Sequence, residues 1–182
     1  CGVAASAAGM NKLMSKMLFK AHGLPQVDFM GFQRSAIEKD PKNATAYIKK
    51  HIGFPCFVKP ANLGSSVGIS KVKKLSELSY SLKEACLYDS LIIVEKGVLE
   101  AREIECAVLG NDNPAVSVPG EIIPSREFYD FASKYLDGSS ELIIPAPLSG
   151  FQIQNIKLMA AAAYGALQCR GMARVDFLLS KI

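Results

Sequence analysis

Histidine is scarce in this 182-residue chain: His22 and His51 are the only two. That scarcity removes one reading at once. Gly64-Ser65-Ser66-Val67-Gly68 spells G-x-S-x-G, the nucleophile elbow of hydrolases. Such an elbow needs a strand before it, a helix after it, and an acid and a histidine later in the chain. Both histidines precede the serine, and the run 66–72 carries β-branched residues at alternate positions, which predicts a strand. Paired cysteines are also missing. The five present, Cys1, Cys56, Cys86, Cys106 and Cys169, are odd in number, contain no C-x-x-C and do not cluster with the histidines. This argues against a disulfide framework or a zinc site, and for buried free thiols in a reducing cytoplasm. No apolar run reaches the roughly 20 residues of a membrane helix; the longest candidate, 156–167, is mostly alanine. Strong charge of one sign is lacking too. A formal net charge of +4, with lysines scattered along the chain, is too little to argue for nucleic acid. No secretory pattern precedes a core, and the start at Cys1 reads as a processed or excised piece.

What is there is a mixture of both periodicities. Asn11 is placed to cap a helix reaching about His22, with Leu13, Met14, Met17, Leu18 and Ala21 as its apolar stripe and Gly23 and Pro25 as its stop. Ser35 to Glu38 has the capping-box pattern, which Pro41 truncates, and a second short helix fits 44–51. Strands are expected over 54–59 and 66–72, paired through the glycine-rich loop. The stretch 76–88 places Leu78, Leu82, Ala85 and Cys86 on one helical face, and 91–96 is an apolar strand ending in Glu95-Lys96. After a break at 97–101 the texture becomes hairpin-like. Residues 102–110 alternate, with Ile104, Cys106 and Val108 on one face and Glu103 and Glu105 on the other. A turn at 111–114, a return strand at 115–123, a loop at 128–138 and a strand at 141–145 follow. A helix over 151–170 packs Ile156, Met159, Ala160, Ala163 and Leu167, with Gly171 as its C-cap, and 172–179 is the last strand. The class is α+β, mixed, in two modules, 1–96 and 97–182, and ligand sites favour such junctions.

Three places can carry chemistry. In 64–68, glycines let backbone N–H groups approach an oxyanion and serines add donors, while Lys59 ends the preceding strand. That is a phosphate cradle in physical terms, though neither the Walker nor the Rossmann pattern is present; a plain flexible turn is the competing reading. In the last strand, the period of two puts Arg174 and Asp176 on one face, suited to oxyanion stabilisation and to Mg²⁺, or to nothing more than a surface ion pair. Glu95-Lys96 ends a strand at the inter-module break, where backbone can hold adenine, and Glu103 follows within reach of ribose hydroxyls; a solvated strand end is the alternative.

Taken together, these residues resemble a family. Lys59-Pro60-Ala61-Asn62-Leu63-Gly64-Ser65-Ser66-Val67-Gly68-Ile69-Ser70-Lys71 resembles the glycine-rich signature of D-alanine–D-alanine ligases, which are ATP-grasp enzymes of peptidoglycan synthesis. Met10-Asn11-Lys12, Arg102-Glu103-Ile104-Glu105, Phe128-Tyr129-Asp130 with Lys134-Tyr135, Ile144-Pro145-Ala146 and Gly171 to Asp176 fall in the family's order and spacing. The resemblance implies an ATP-grasp fold with ATP between two α+β subdomains. It implies that Lys12 and Lys59 contact ATP phosphates, that the backbone of Gly64, Ser65, Ser66 and Val67 closes over them, and that Lys134 approaches the γ-phosphate. Glu95, Lys96, Val98 and Leu99 would hold adenine and Glu103 the ribose. Ser65 and Tyr135 would order the first D-alanine, Arg174 would stabilise the tetrahedral transition state, and Asp176 would bind Mg²⁺ or Mn²⁺. It further implies a cytoplasmic homodimeric parent protein, with D-alanine as substrate and neither nucleic acid nor membrane as partner. A ligase forming a D-alanine–D-lactate or D-alanine–D-serine product, or a non-catalytic nucleotide-binding module, are the alternatives. Two departures stand out. Ala132-Ser133 stands where the family commonly has glutamate-alanine. The family's N-terminal domain and its E-x-N metal segment have no counterpart here, so the chain reads as a fragment that is by itself catalytically incompetent.

Overall fold

A computed structural model describes residues 1–124 and 140–180. The expected loop at 128–138, with Lys134 and Tyr135, therefore lies outside the described residues. The chain forms two compact units. One gathers Met10–Leu13 with Gln26–Val98; the other gathers Cys1–Gly9, Met14–Pro25 and Leu99–Ile182.

The first unit is built on a four-stranded antiparallel sheet of β1 (Phe29–Gln33), β2 (Cys56–Pro60), β3 (Ser70–Val72) and β4 (Leu91–Lys96), in the order β1-β4-β2-β3. Alternation along the strands sorts the side chains. Cys56, Val58, Val72, Ile92 and Val94 join one buried cluster with Ile48, Leu78 and Leu82 from helices. The intervening residues, Phe57, Lys59, Ile93 and Glu95, lie on the opposite sheet face. Three helices belong to this unit: α3 (Arg34–Lys39), α4 (Pro41–His51) and α5 (Leu75–Tyr88). α3 ends at Lys39, just before Pro41, as expected from the sequence, and Pro41 also opens α4, which was expected only from residue 44. The proline sits at the first helical position, where its missing N–H costs nothing, and Asp40 caps the helix by accepting from the Asn43 amide at 3.0 Å. Ser35 lies inside α3, so the capping box read there does not form. The strand expected to begin at Ser66 begins only at Ser70, because Ser65, Ser66 and Gly68 all have positive φ, which no strand accommodates.

The second unit centres on β5 (Arg102–Gly110). β9 (Gly171–Leu179) pairs with its full length, from Arg102 opposite Leu179 to Gly110 opposite Gly171. On its other edge lie β6 (Ala115–Val116) and β7 (Gly120–Ile123), and β8 (Glu141–Ile143) pairs with β7. The single return strand expected over 115–123 is thus two strands, parted around Pro119, which has no amide hydrogen to give a ladder. Ile104, Cys106 and Val108 are buried as their alternation predicts, against Ile156, Ala160 and Tyr164 of α6 (Gly150–Ala166). That helix starts with a capping box between Ser149 and Gln152 and stops at Leu167, before Gly171, because Gln168 already turns left-handed at φ 54°. Arg102 makes a two-pronged pair with the buried carboxylate of Glu121, Nε to Oε1 at 2.7 Å and Nη2 to Oε2 at 2.6 Å, and donates to the Pro147 carbonyl at 3.1 Å.

α1 (Val3–Met10) and α2 (Lys12–Ala21) are the remaining helices among the described residues. The apolar stripe expected on α2 is not its buried face: Met14 and Met17 are 50% and 60% exposed, while Ser15 is buried and donates to the Ala8 carbonyl at 2.6 Å. Cys56, Cys86 and Cys106 are buried free thiols, Cys169 is half-buried and Cys1 exposed. Burial pushes the Cys56 thiol up to about 11. No described helix is long and apolar enough to cross a membrane.

Candidate functional site

In the first unit, chemistry collects on the sheet face opposite the helices. Lys59, near the end of β2, extends its ammonium over the Phe57 ring, 5.6 Å from the centroid, and meets Glu95 Oε2 of β4 at 2.5 Å. The pair arises from register: Phe57 lies opposite Glu95 and Lys59 opposite Ile93, so Lys59 and Glu95 are diagonal neighbours on one face. Glu95 is only 7% exposed. Lys12 joins this face from α2. Its amide donates to the Ala61 carbonyl at 2.9 Å. Its ammonium donates to the carbonyls of Pro60 at 3.0 Å, Ala61 at 3.4 Å and Leu63. Gly31 of β1 makes room for this segment, since a Cβ there would lie 2.4 Å from Leu13 Cδ2. Burial first, and then the positive charge of Lys59, hold the Lys12 ammonium below the ordinary lysine range; Glu95 and Asp89 act in the opposite sense. A multiply charged anion beside both ammonium groups would relieve the repulsion that Lys59 exerts on Lys12. Lys96 is not brought to this group. Its side chain points to the other sheet face and donates to the Phe54 carbonyl at 3.4 Å.

Between β2 and β3 the glycine-rich loop makes a tight reversal. The Val67 amide donates to the Gly64 carbonyl at 3.1 Å, with Ser65 at φ 52° and Ser66 at φ 62° between them. Both central residues at positive φ is the pattern of a primed hairpin turn, here built from L-residues that disfavour it. Gly68 closes the loop at φ 70°, and a Cβ there would lie 2.7 Å from Pro60 Cγ and 2.8 Å from Tyr88 Cδ2. Both neighbours are ring atoms that cannot simply rotate away. Gly68→Ala is therefore expected to destabilise the first unit by about 1–3 kcal/mol, read as a lower melting temperature; an unchanged melt would show that the loop does not adopt this turn.

In the second unit, a different face carries charge. Glu103 and Glu105 of β5 lie beside Arg174 and Asp176 of β9, with Glu105 directly opposite Asp176 in register. Arg174 holds Asp176 by two bonds, Nε to Oδ1 at 2.7 Å and Nη2 to Oδ2 at 2.9 Å, and its Nε is 3.2 Å from Glu105 Oε2. The sequence pattern placed Glu105 on this face without assigning it to the site; strand register is what brings it to Arg174. Oxygen donors of this kind suit a hard cation such as Mg²⁺, which takes one or two carboxylates and completes its shell elsewhere. Among the described residues, no three of His, Cys, Asp and Glu group closely enough to hold a metal by themselves. Val98 belongs to the first unit, and Leu99, 66% exposed, opens the second.

A family model described as "D-ala D-ala ligase C-terminus" matches residues 18–182. The chain belongs to the D-alanine–D-alanine ligase family. It is 51% identical over 182 residues to a D-alanine–D-alanine ligase of Thermoanaerobacter sp. (strain X514), with 98% of this chain and 49% of that protein covered. It is 48% identical over 180 residues to a ligase of the same name from Bacillus cytotoxicus, covering 99% and 49%. The chain thus spans about half the length of the curated relatives it matches. Among solved structures it is similar to the VanG D-Ala:D-Ser ligase of Enterococcus faecalis, with a TM-score of 0.87 and 32% identity over 100% of this chain and 51% of that one. The D-alanine–D-alanine ligase of Coxiella burnetii is similar too, with a TM-score of 0.80 and 35% identity over 99% and 46%. The fold is that of the ATP-grasp D-alanine ligases, as the sequence resemblance implied.

Proposed function

We propose that this chain serves an ATP-dependent ligation of two D-alanines to D-alanyl-D-alanine, through an acylphosphate, in the cytoplasm and in a homodimeric protein. The observation that carries this reading is the convergence of Lys12 and Lys59 beside a left-handed glycine–serine turn, in a chain of D-alanine ligase family. Lys12 and Lys59 take the phosphates, and the backbone of Gly64, Ser65, Ser66 and Val67 closes over them. Glu95, Lys96, Val98 and Leu99 take adenine, with Lys96 acting through its backbone because its ammonium lies on the other sheet face. Glu103 takes the ribose, and Lys134 and Tyr135 act with Ser65 at the first D-alanine and the γ-phosphate.

The chemistry follows from charge. The carboxylate of one D-alanine attacks the γ-phosphorus and the bond to ADP breaks. The amine of a second D-alanine then attacks the acyl carbon, loses a proton, and phosphate leaves. Charge spreads over the transferring oxygens, and the Lys59 ammonium, held on its strand, stabilises it with little reorganisation, while Lys12 joins by turning from the stem carbonyls. Arg174 performs the same service for the tetrahedral oxyanion of the second step. Asp176, with Glu105 opposite it, fits a Mg²⁺ or Mn²⁺ ion. Such an ion would supply further neutralisation of phosphate charge. A second reading, a D-alanine–D-serine product, is favoured by one observation: the similar Enterococcus faecalis structure carries that activity in its name.

The test is ADP release by the full-length protein with Mg-ATP and D-alanine, with L-alanine as control. Stimulation by D-alanine alone, with a dipeptide product, is the expected result. Product only when D-serine or D-lactate is added would select the second reading or its lactate counterpart. Binding of ATP without any D-alanine-stimulated release would instead identify a nucleotide-binding module.

A further inference from the structure

We infer that Asp89, at the C-terminal end of α5, is a positioning residue for the phosphate-binding loop, acting through Asn62. The inference rests on the functional reading above. The stem of the loop, 60–63, is held from two sides by groups of opposite charge. On one side the Lys12 ammonium takes the carbonyls of Pro60, Ala61 and Leu63. On the other, Asp89 Oδ2 accepts from the Asn62 amide at 2.8 Å and from Asn62 Nδ2 at 2.9 Å. Asp89 Oδ1 accepts from the Leu91 amide at 3.1 Å, which ties the same carboxylate to the start of β4. Asn62 then passes the constraint on: its Oδ1 accepts from Asn11 Nδ2 at 2.8 Å, and Asn11 is the residue before Lys12. One carboxylate therefore fixes the entry to the glycine loop and, by a single relay, the segment that carries one of the two lysines.

The far end of the loop rests on the adjacent residue. Gly68 packs against the Tyr88 ring so closely that a Cβ would fall 2.8 Å from it. Tyr88 and Asp89 together seat both ends of the loop on α5.

The arrangement matters because the Lys12 ammonium has three protons, and in this structure it directs them at stem carbonyls. To meet a phosphate it must turn at least one away, and the stem then relies on Asp89. A bare carboxylate beside a polyphosphate would repel it. Here burial pushes the Asp89 carboxyl up, but the Asn62, Leu91 and Ser90 amides and the Asn62 side chain outweigh burial and hold it below the usual carboxylate range. It is an ionised anchor with its lone pairs turned to N–H groups, not a group that touches substrate.

The experiment is steady-state ADP release by the full-length protein carrying Asp89→Asn, Asn62→Ala, and both together. Asp89→Asn is nearly isosteric but faces N–H donors with an NH₂ group. The expected result is a KM for ATP raised on the order of tenfold in each single variant, with kcat within about threefold and an unchanged KM for D-alanine. The double variant should be no worse than either single one, as for two members of one relay. An unchanged KM for ATP, or losses that multiply in the double variant, overturns the inference. A fall in kcat with the ATP KM untouched also overturns it, because that is what general destabilisation would give. If Asp89→Asn does not fold, Asn11→Ala removes the relay without disturbing the carboxylate and is read in the same way. A wild-type protein that binds Mg-ATP but releases no ADP with D-alanine defeats the functional reading alone; the variants are then compared by calorimetric Kd for Mg-ATP, with the same tenfold weakening expected. A wild-type protein that binds no Mg-ATP overturns both.

Discussion

Lys59→Ala is expected to lower D-alanine-dependent ADP release by the full-length protein about 100-fold or more. The magnitude follows from where the ammonium sits. Lys59 is carried by an inner strand, flanked by β3 and β4, not by a loop, and its side chain is held by Glu95 at 2.5 Å and by the face of Phe57. A charge fixed before the reaction costs little reorganisation when phosphate charge develops, which is why single preorganised donors are worth so much. Alanine keeps the strand and removes the charge. The Lys59→Arg variant is a sharper probe. It retains the charge but spreads it over a planar fork, which cannot occupy the compact position of an ammonium between Glu95 and Phe57, and it is expected to recover only part of the loss. Thermal melting of each variant separates lost chemistry from lost fold. Turnover close to that of the wild type in Lys59→Ala would remove Lys59 from the site.

Arg102→Met is expected to lower the stability of the second unit by about 2–3 kcal/mol, a little below the range for fully buried pairs because the guanidinium is partly exposed. Glu121 is 7% exposed and is held by two guanidinium bonds, so removing Arg102 strips a buried carboxylate of its principal counter-charge. For a domain of this size the change should lower the melting temperature by about 5–10 °C. The bond to the Pro147 carbonyl extends the damage to the chain that follows β8. The effect has a pH signature. The side-chain bond from Arg102 holds the Glu121 carboxyl below its ordinary value, against burial, which pushes it up. A carboxyl whose folded value is depressed stabilises the fold above its unfolded value and loses that contribution as pH falls through the depressed one. The gap between wild type and Arg102→Met should therefore be full at neutral pH and narrow in acid, starting near pH 4, where an ordinary carboxylate begins to protonate. Equal melting temperatures at neutral pH would show that the pair contributes nothing.

Much of the fold was legible because its strands and helices follow clean periods. β4 and β5 begin and end where the sequence places them, and the buried face of β5 is the one its alternation marks. The failures have separate physical causes. Pro41 was read only as the end of the preceding helix, which it is; that it also opens α4 depends on Asp40 as a cap, and the sequence reading missed that start. Ser66 and Val67 have strand-like texture, but the tight return to β3 forces Ser65 and Ser66 left-handed, which no propensity registers. On α2, Ser15 is buried because the Ala8 carbonyl satisfies its hydroxyl, and the methionines stay outside. Among the candidate residues of the two units, Lys59 and the Arg174–Asp176 pair could be read locally, from a strand end and a period of two. Glu105 and Asp89 could not. Each enters by register or by a contact across the fold, Glu105 at Asp176 and Asp89 at Asn62, and such contacts exist only after the chain has closed.

The cysteines acquire a use from the division into two units. Cys56 lies in the core of one and Cys106 in the core of the other, at 0% and 1% exposure. Burial raises the resistance of both thiols to ionisation. Neither is expected to react with an alkylating reagent until its own sheet opens. Brief pulses of such a reagent, followed by mass mapping of the two peptides, would time the breathing of each half separately, with the native sequence supplying both clocks.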